Sequence, residues 1–282
     1  MIKGLTRSGI GMSASLEQFV RQAAAHGFGA VDSSGAELEG WAQQTGLATA
    51  QELLQSLNMR IGAIALPVEW RQDEATFRSQ LAALAQAAQW AESFGVKACC
   101  TYVLPSTDEK AAHFAVVATR RLRICADILD GYGISLGLEF VGPHHLRTHW
   151  ANPFLWTMAE TLDWIGAIGR PNVGLLLDAY HWYTNEGTER ELLELNPAQI
   201  VHVHLNDAKP VPVTEALDND RIYPGEGVID LPLFLRSLQT IGYRGVVSQE
   251  ILTPQPPAQS EAELLARSQA AFDSVFKAAG LQ

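Results

Sequence analysis

The sequence predicts an α/β fold, a (β/α)8 TIM barrel in a single domain over residues 1–282, and three observations predict it. The length of 282 residues suits one such barrel, which typically takes about 250 residues. Eight short apolar runs alternate with longer amphipathic stretches, the pattern of βα units around a parallel sheet. No glycine-rich phosphate fingerprint follows the first run, which counts against a dinucleotide-binding open sheet. The competing architecture is the open doubly wound sheet.

Strands are expected near Gly4–Ile10, Ala30–Asp32, Arg60–Ala65, Lys97–Tyr102, Ser135–Phe140, Val173–Asp178, Ile200–Leu205 and Gly245–Glu250. Helices are expected between them. Ser15–His26 opens on a capping serine and stops before Gly27. Glu74–Phe94 repeats Phe77, Leu81, Leu84, Ala88 and Ala91 at helical spacing and stops at Gly95. Glu109–Leu129, Pro153–Ile168, Leu231–Ile241 and Leu264–Ala279 complete the set. The one proline cluster, Pro254, Pro256 and Pro257, falls between the last strand and the last helix and reads as a loop.

Hydrophobic residues make up 47% and charged residues 18%, a globular composition. The net charge of −11 and the lack of a basic stripe argue against nucleic acid. The acidity serves solubility, and at a barrel mouth it would attract a divalent cation. Cys99, Cys100 and Cys125 form neither a CxxC nor an even set, so reduced thiols in a cytoplasmic protein are expected. No apolar leader core and no run of eighteen apolar residues is present, so neither a signal peptide nor a membrane helix is expected.

Chemistry in such a barrel belongs at the C-terminal ends of the strands. Four consecutive strands end in metal-competent side chains: Glu139 in GISLGLEFVG, Asp178 in NVGLLLDAYHW, His204 in IVHVHLNDA and Glu250 in RGVVSQEIL. One acid at a strand end is more often a cap or an ion-pair partner. Four on neighbouring strands converge on one side of the mouth. Glu139 and Asp178 follow strongly apolar runs, where a lone carboxylate is costly to bury and a cation removes that cost. Three carboxylates and an imidazole suit one divalent metal ion, Mn²⁺, Mg²⁺ or Co²⁺, and also admit Zn²⁺.

Together these segments resemble the sugar phosphate isomerase/epimerase family, the xylose-isomerase-like barrels. LGLEF, LLLDAYHWY, HVHLNDA, the R-x-x-P-G-E-G-x-I-D run from Arg221 to Asp230, and GYRGVVSQE carry the resemblance over residues 134–250. ALPVEWR and CCTYVLP extend it into the first half. The resemblance implies that Glu139, Asp178, His204 and Glu250 hold the metal, and that Glu139 and Glu250 also exchange protons with the substrate. It implies that His181 contacts the sugar, and that Arg221, beyond a long loop, does so too. A ketose carbonyl and its neighbouring hydroxyl would chelate a Lewis-acidic metal that stabilises an enediolate. Glu250 would take the α-proton and Glu139 return it, with His181 and Arg221 sharing the developing charge. Family analogy also suggests a homodimer.

Other residues near the mouth are weighed against plain structure. Glu69, Trp70 and Arg71 follow the third strand and Tyr102 ends the fourth, so Trp70 and Tyr102 are taken as substrate contacts. His202 shares a strand face with His204 and reads better as a hydrogen-bonded histidine deeper in the barrel than as a ligand. Asp207 either orients His204 or caps the next loop. Trp182 and Tyr183 are either a wall for a sugar ring or packing. His144, His145 and His149 read as a surface loop, and Glu226 either approaches the site or shapes its loop. Arg147, Lys209 and Arg221 lack a phosphate cradle, so the expected partner is a non-phosphorylated sugar or polyol. The competing functions are a lyase acting on a keto-inositol or 3-keto glycoside, a zinc-dependent abasic-DNA nuclease, and a sugar-binding protein without catalysis.

Overall fold

A computed structural model describes residues 1–11 and 15–281. Eight parallel strands close into a barrel: β1 (Ile2–Leu5), β2 (Ala30–Ser33), β3 (Arg60–Ala65), β4 (Ala98–Val103), β5 (Ser135–Phe140), β6 (Val173–Asp178), β7 (Ile200–Leu205) and β8 (Val246–Gln249). Neighbours in sequence are neighbours in the sheet, and β8 pairs with β1 to close it. Closure leaves no open edge, which excludes the doubly wound alternative. Every residue of β6 is buried, as expected for a strand between a filled barrel and a helical layer.

The outer layer is built from α1 (Leu16–Ala25), α2 (Gly35–Thr45), α3 (Leu47–Ser56), α4 (Glu74–Ser93), α5 (Ala111–Asp130), the short α6 (His144–Arg147), α7 (Met158–Ile168), α8 (Ala179–Thr184), α9 (Glu189–Leu193), α10 (Leu231–Thr240) and α11 (Glu261–Ala278). The serine expected to cap α1 does so, since Ser15 Oγ accepts from Gln18 N–H. Two differences from the sequence reading have local causes. The first strand stops at Leu5 instead of Ile10, because Ser8, Gly9 and Ile10 turn over the mouth and Gly9 takes a positive φ of 79°. Between β2 and β3 lie two unforeseen helices, α2 and α3. Ser34 caps α2 by accepting from Glu37 N–H. Gly35 lets α2 approach α4, since a Cβ there would sit 2.3 Å from Ala87 Cβ.

Strand register aligns the chemistry. Glu139 pairs with Tyr102 on one side and Leu176 on the other, Asp178 with His204, and His204 with Ser248. The late residues of β5 to β8 therefore share one end of the barrel. No helix among the described residues is long and apolar enough to cross a membrane.

Candidate metal centre

Glu139 is the fifth residue of β5, Asp178 the last of β6, and His204 the fifth of β7. Glu250 directly follows β8, and its N–H donates to the Leu205 carbonyl at 3.2 Å, which keeps its backbone on β7. One donor atom from each of the four lies within 4.8 Å of the others. His204 Nδ1 is 3.4 Å from Glu250 Oε2, 3.5 Å from Glu139 Oε1 and 3.9 Å from Asp178 Oδ2. These separations are longer than good hydrogen bonds. His204 Nδ1 and Glu139 Oε1 are buried without a hydrogen-bond partner, each costing about 1–3 kcal/mol if left so. A divalent cation among the four would satisfy both atoms, and the oxygen-rich donor set fits a hard or borderline ion.

Arg221 braces the site from behind. Its Nη1 donates to Asp178 Oδ2 and Glu250 Oε2, both at 2.9 Å, and its Nη2 donates to Asp218 Oδ1 at 2.7 Å. Asn206 Nδ2 adds two donations to the Asp178 carboxylate at 3.1 Å. Burial works against charge on every member, and the partners decide the outcome. For Asp178, Arg221, His181 and His204 outweigh burial and hold the carboxyl below its ordinary range. For Glu250, His204 and Arg221 outweigh it more strongly, to about 2. For Glu139 burial prevails over His204 and His181, and its carboxyl is raised. His204, buried but facing several carboxylates with Glu250 foremost, is raised well above the ordinary imidazole value.

A cavity of about 320 Å³ opens over this cluster, near the small end of the usual range for ligand pockets. Glu139, His204 and Glu250 line one part, Ala63, Ile64, Ala65 and Leu176 are its apolar wall, and Arg7, Ser33 and Glu37 stand beyond them. Tyr102, 45% exposed, borders it, and the Arg71 guanidinium lies 4.1 Å over its ring. Cys100 also lines the cavity; burial, helped by the neighbouring carboxylates, raises its thiol and keeps it protonated.

The xylose isomerase-like TIM barrel description matches residues 20–271. This chain belongs to that family. A solved xylose isomerase domain protein from Alicyclobacillus acidocaldarius is 32% identical, covers 99% of both chains and superposes with a TM-score of 0.90. An inosose isomerase from Bacillus velezensis is 33% identical over 130 residues, 46% of this chain and 44% of that protein. An inosose dehydratase from Histophilus somni is 32% identical over 123 residues, 39% of each. The chain therefore spans less than half the length of these two relatives.

In this xylose isomerase-like barrel several sequence expectations need correction. Trp70 does not face the cavity. It is fully buried, its indole N–H donates to Thr101 Oγ1 at 3.0 Å, and it packs between Phe114 and Trp164; the apolar body outweighs its position after a strand end. Arg221 reaches the Asp178 and Glu250 carboxylates but is itself buried among them, so it positions those groups and does not line the cavity. His181 is also buried. Its Nδ1 accepts from Gly142 N–H at 3.2 Å, and its Nε2 lies 3.3 Å from Arg221 Nη2 and 3.9 Å from Glu139 Oε1. Asp207 caps a loop: it accepts backbone N–H groups of Ala208, Gly225, Gly227 and Ile229 at 2.8–3.0 Å. Glu226 pairs with Arg267, and Trp182 packs on Phe234. His144 and His145 sit on α6 and His149 meets Trp150 edge-to-face; none belongs to a metal-competent group among the described residues.

Asp32 is the residue that sequence reasoning passed over. It accepts from Ala63 N–H at 3.0 Å, lies 2.8 Å from His202 Nε2 and 3.7 Å from His204 Nε2. His202 is thus the hydrogen-bonded histidine expected. Asp32, His202 and His204 form a second metal-competent group, but a metal there would have to break the Asp32–His202 bond. Gly62 makes room for this pair, since a Cβ there would fall 2.4 Å from Asp32 Oδ1. The signal was available: Asp32 is another acid at the end of a barrel strand.

Proposed function

We propose that this cavity is the active site of a divalent-metal-dependent isomerase or epimerase that moves a proton next to the carbonyl of a ketose or keto-polyol. The observation that carries the reading is the convergence of Glu139, Asp178, His204 and Glu250 within 4.8 Å, with two of their donor atoms buried and unpartnered, at the end of a sugar-sized cavity. The partial likeness to an inosose isomerase supports the substrate class.

Glu139, Asp178, His204 and Glu250 would hold the metal, which when bound supplies a Lewis acid beside the substrate carbonyl. Arg221 keeps Asp178 and Glu250 ionised and fixed in direction. The Glu250 carboxylate removes the α-proton. The C–H electron pair becomes a C=C bond while the carbonyl π pair moves onto oxygen, which gives an enediolate. Glu139 then delivers a proton, to the opposite face of the same carbon for epimerisation or to the former carbonyl carbon for isomerisation, in which case the neighbouring hydroxyl also passes its proton to the former carbonyl oxygen and becomes the new carbonyl. Ile64 and Leu176 form an apolar wall beside the site.

A lyase is the second reading, favoured by the partial likeness to an inosose dehydratase. It begins with the same proton removal, and a β-hydroxyl then leaves as water. NMR of ketoses and inososes in D₂O with the metal-loaded protein tests both. Deuterium at the α-carbon together with an epimeric or isomeric product supports the isomerase, and loss of water supports the lyase. Absence of exchange across Mn²⁺, Co²⁺, Mg²⁺ and Zn²⁺ would overturn the proton-transfer reading.

A further inference from the structure

Arg7 follows β1, Ser33 ends β2 and Glu37 sits in the first turn of α2. All three line the cavity, on the half of the mouth formed by the strands that carry none of the four metal-competent residues. Arg7 Nη2 is 2.9 Å from Glu37 Oε1. The other Glu37 oxygen accepts from Ser33 Oγ at 2.9 Å. The Arg7 guanidinium rests 4.8 Å over the Phe19 ring, which fixes it from behind. Both charged side chains keep contact with the cavity, at 24% and 37% exposure.

Among the described residues Arg7 is the one lysine or arginine on the cavity lining, and Glu37 pairs with it. The other cations once considered as phosphate holders are engaged elsewhere. Arg147 donates to the Gly142 and Thr184 carbonyls and to Asn185 Oδ1. Lys209 pairs with Asp220 at 2.6 Å. Arg221 is buried among Asp178, Asp218 and Glu250. An anionic substituent would meet the Glu37 carboxylate beside Arg7 and gain little. A hydroxyl can donate to Glu37 and accept from Arg7, which is how a paired ion recognises vicinal hydroxyls of a neutral polyol.

We infer that Arg7, Glu37 and Ser33 form a specificity subsite for the distal hydroxyls of an uncharged keto-polyol, and that the pair rejects phosphorylated or carboxylated ketones. The inference rests on the reading of the cavity as a keto-polyol site and adds its charge selectivity. Against a phosphate ester the Arg7–Glu37 pair acts by repulsion as well as by lost hydrogen bonds.

The test is ligand binding to the Mn²⁺-loaded protein by calorimetry, with two matched pairs: D-fructose against D-fructose 6-phosphate, and an inosose against its monophosphate. The wild type is expected to bind at least one neutral ketone about tenfold or more tighter than its phosphate ester, the size of one charge-assisted hydrogen bond. Glu37→Gln keeps the side-chain shape and removes the negative charge beside Arg7, so it should reduce or invert that ratio by tightening the phosphate ester. Arg7→Met should weaken the neutral ketone without improving the ester. A wild type that binds neither neutral ketone, or prefers the esters, would overturn the inference, as would an unchanged ratio in Glu37→Gln. Solvent deuterium exchange is read separately: selective binding without exchange removes the proposed reaction and leaves the subsite, and exchange without selectivity does the reverse.

Discussion

His204 Nε2 lies 3.7 Å from Asp32 Oδ2, on the side of the ring away from Glu139 and Glu250. Nδ1 faces the ligand cluster, so a neutral His204 that offers Nδ1 to a metal carries its proton on Nε2, toward Asp32. Carboxylates placed behind metal-binding histidines fix the tautomer and raise ligand basicity. Asp32→Asn should therefore weaken Mn²⁺ affinity by about 10–100-fold, while the circular dichroism of the metal-free protein stays unchanged. Unaltered affinity in a titration would show that Asp32 serves only His202 and Ala63.

The two glutamates share one readout that separates proton transfer from metal holding. Glu139→Gln and Glu250→Gln each remove one ligand charge and one proton carrier. Loss of a positioned acid–base group costs about 10²–10⁴-fold in rate. Deuterium exchange at the α-carbon, measured at saturating metal, should fall by at least that lower bound in both. A variant that still exchanges at the wild-type rate would remove that glutamate from proton transfer and leave it as a ligand alone.

Arg221→Met tests the brace. Breaking a buried ion pair from one side leaves uncompensated charge and costs about 3–5 kcal/mol. Here Arg221 separates Asp178, Asp218 and Glu250, so its removal leaves carboxylates repelling one another. Saturating metal restores a positive charge to Asp178 and Glu250. The melting temperature should drop steeply without metal, and the deficit against wild type should shrink with it. A deficit that metal does not change would assign Arg221 to the fold alone.

The barrel could be read from the alternation of apolar runs, because parallel strands buried on both faces carry a strong local signal. The convergence of Glu139, Asp178, His204 and Glu250 was equally legible, because each stands at or just past the end of one of four consecutive strands, although Asp178 also caps the helix that follows it by accepting from Tyr180 N–H. What escaped was long-range. Ser34, Gly35 and Glu37 begin a helix whose partner, Ala87, lies fifty residues away. Trp70 follows a strand end as a substrate contact would, yet its destination between Phe114 and Trp164 depends on two distant helices. Arg221 was found as a site residue, but its direction, toward carboxylates and away from the cavity, is set by the loop that carries Asp218. Asp32 needed only the strand-end rule already applied to Glu139 and Asp178.

The last prediction couples metal to pH. In the metal-free protein burial opposes charge on His204, but Glu250, Asp32 and Glu139 outweigh it and raise the ring well above its ordinary value of 6.5. A raised pKa means the protonated ring stabilises the metal-free fold; that contribution is complete below the unfolded value and is lost as pH rises through the folded one. Ligation requires the neutral ring, so metal must displace this proton. Two outcomes follow from the same sign. Metal binding at neutral pH should release about one proton per ion from His204, seen as a buffer-dependent enthalpy in calorimetry. The rise in melting temperature given by Mn²⁺ should also grow between pH 6 and pH 8, because the metal-free state weakens while competition from the proton falls. A buffer-independent enthalpy, or a metal increment flat across that range, would mean that His204 is already neutral when the metal arrives and that the carboxylates facing it do not hold its proton.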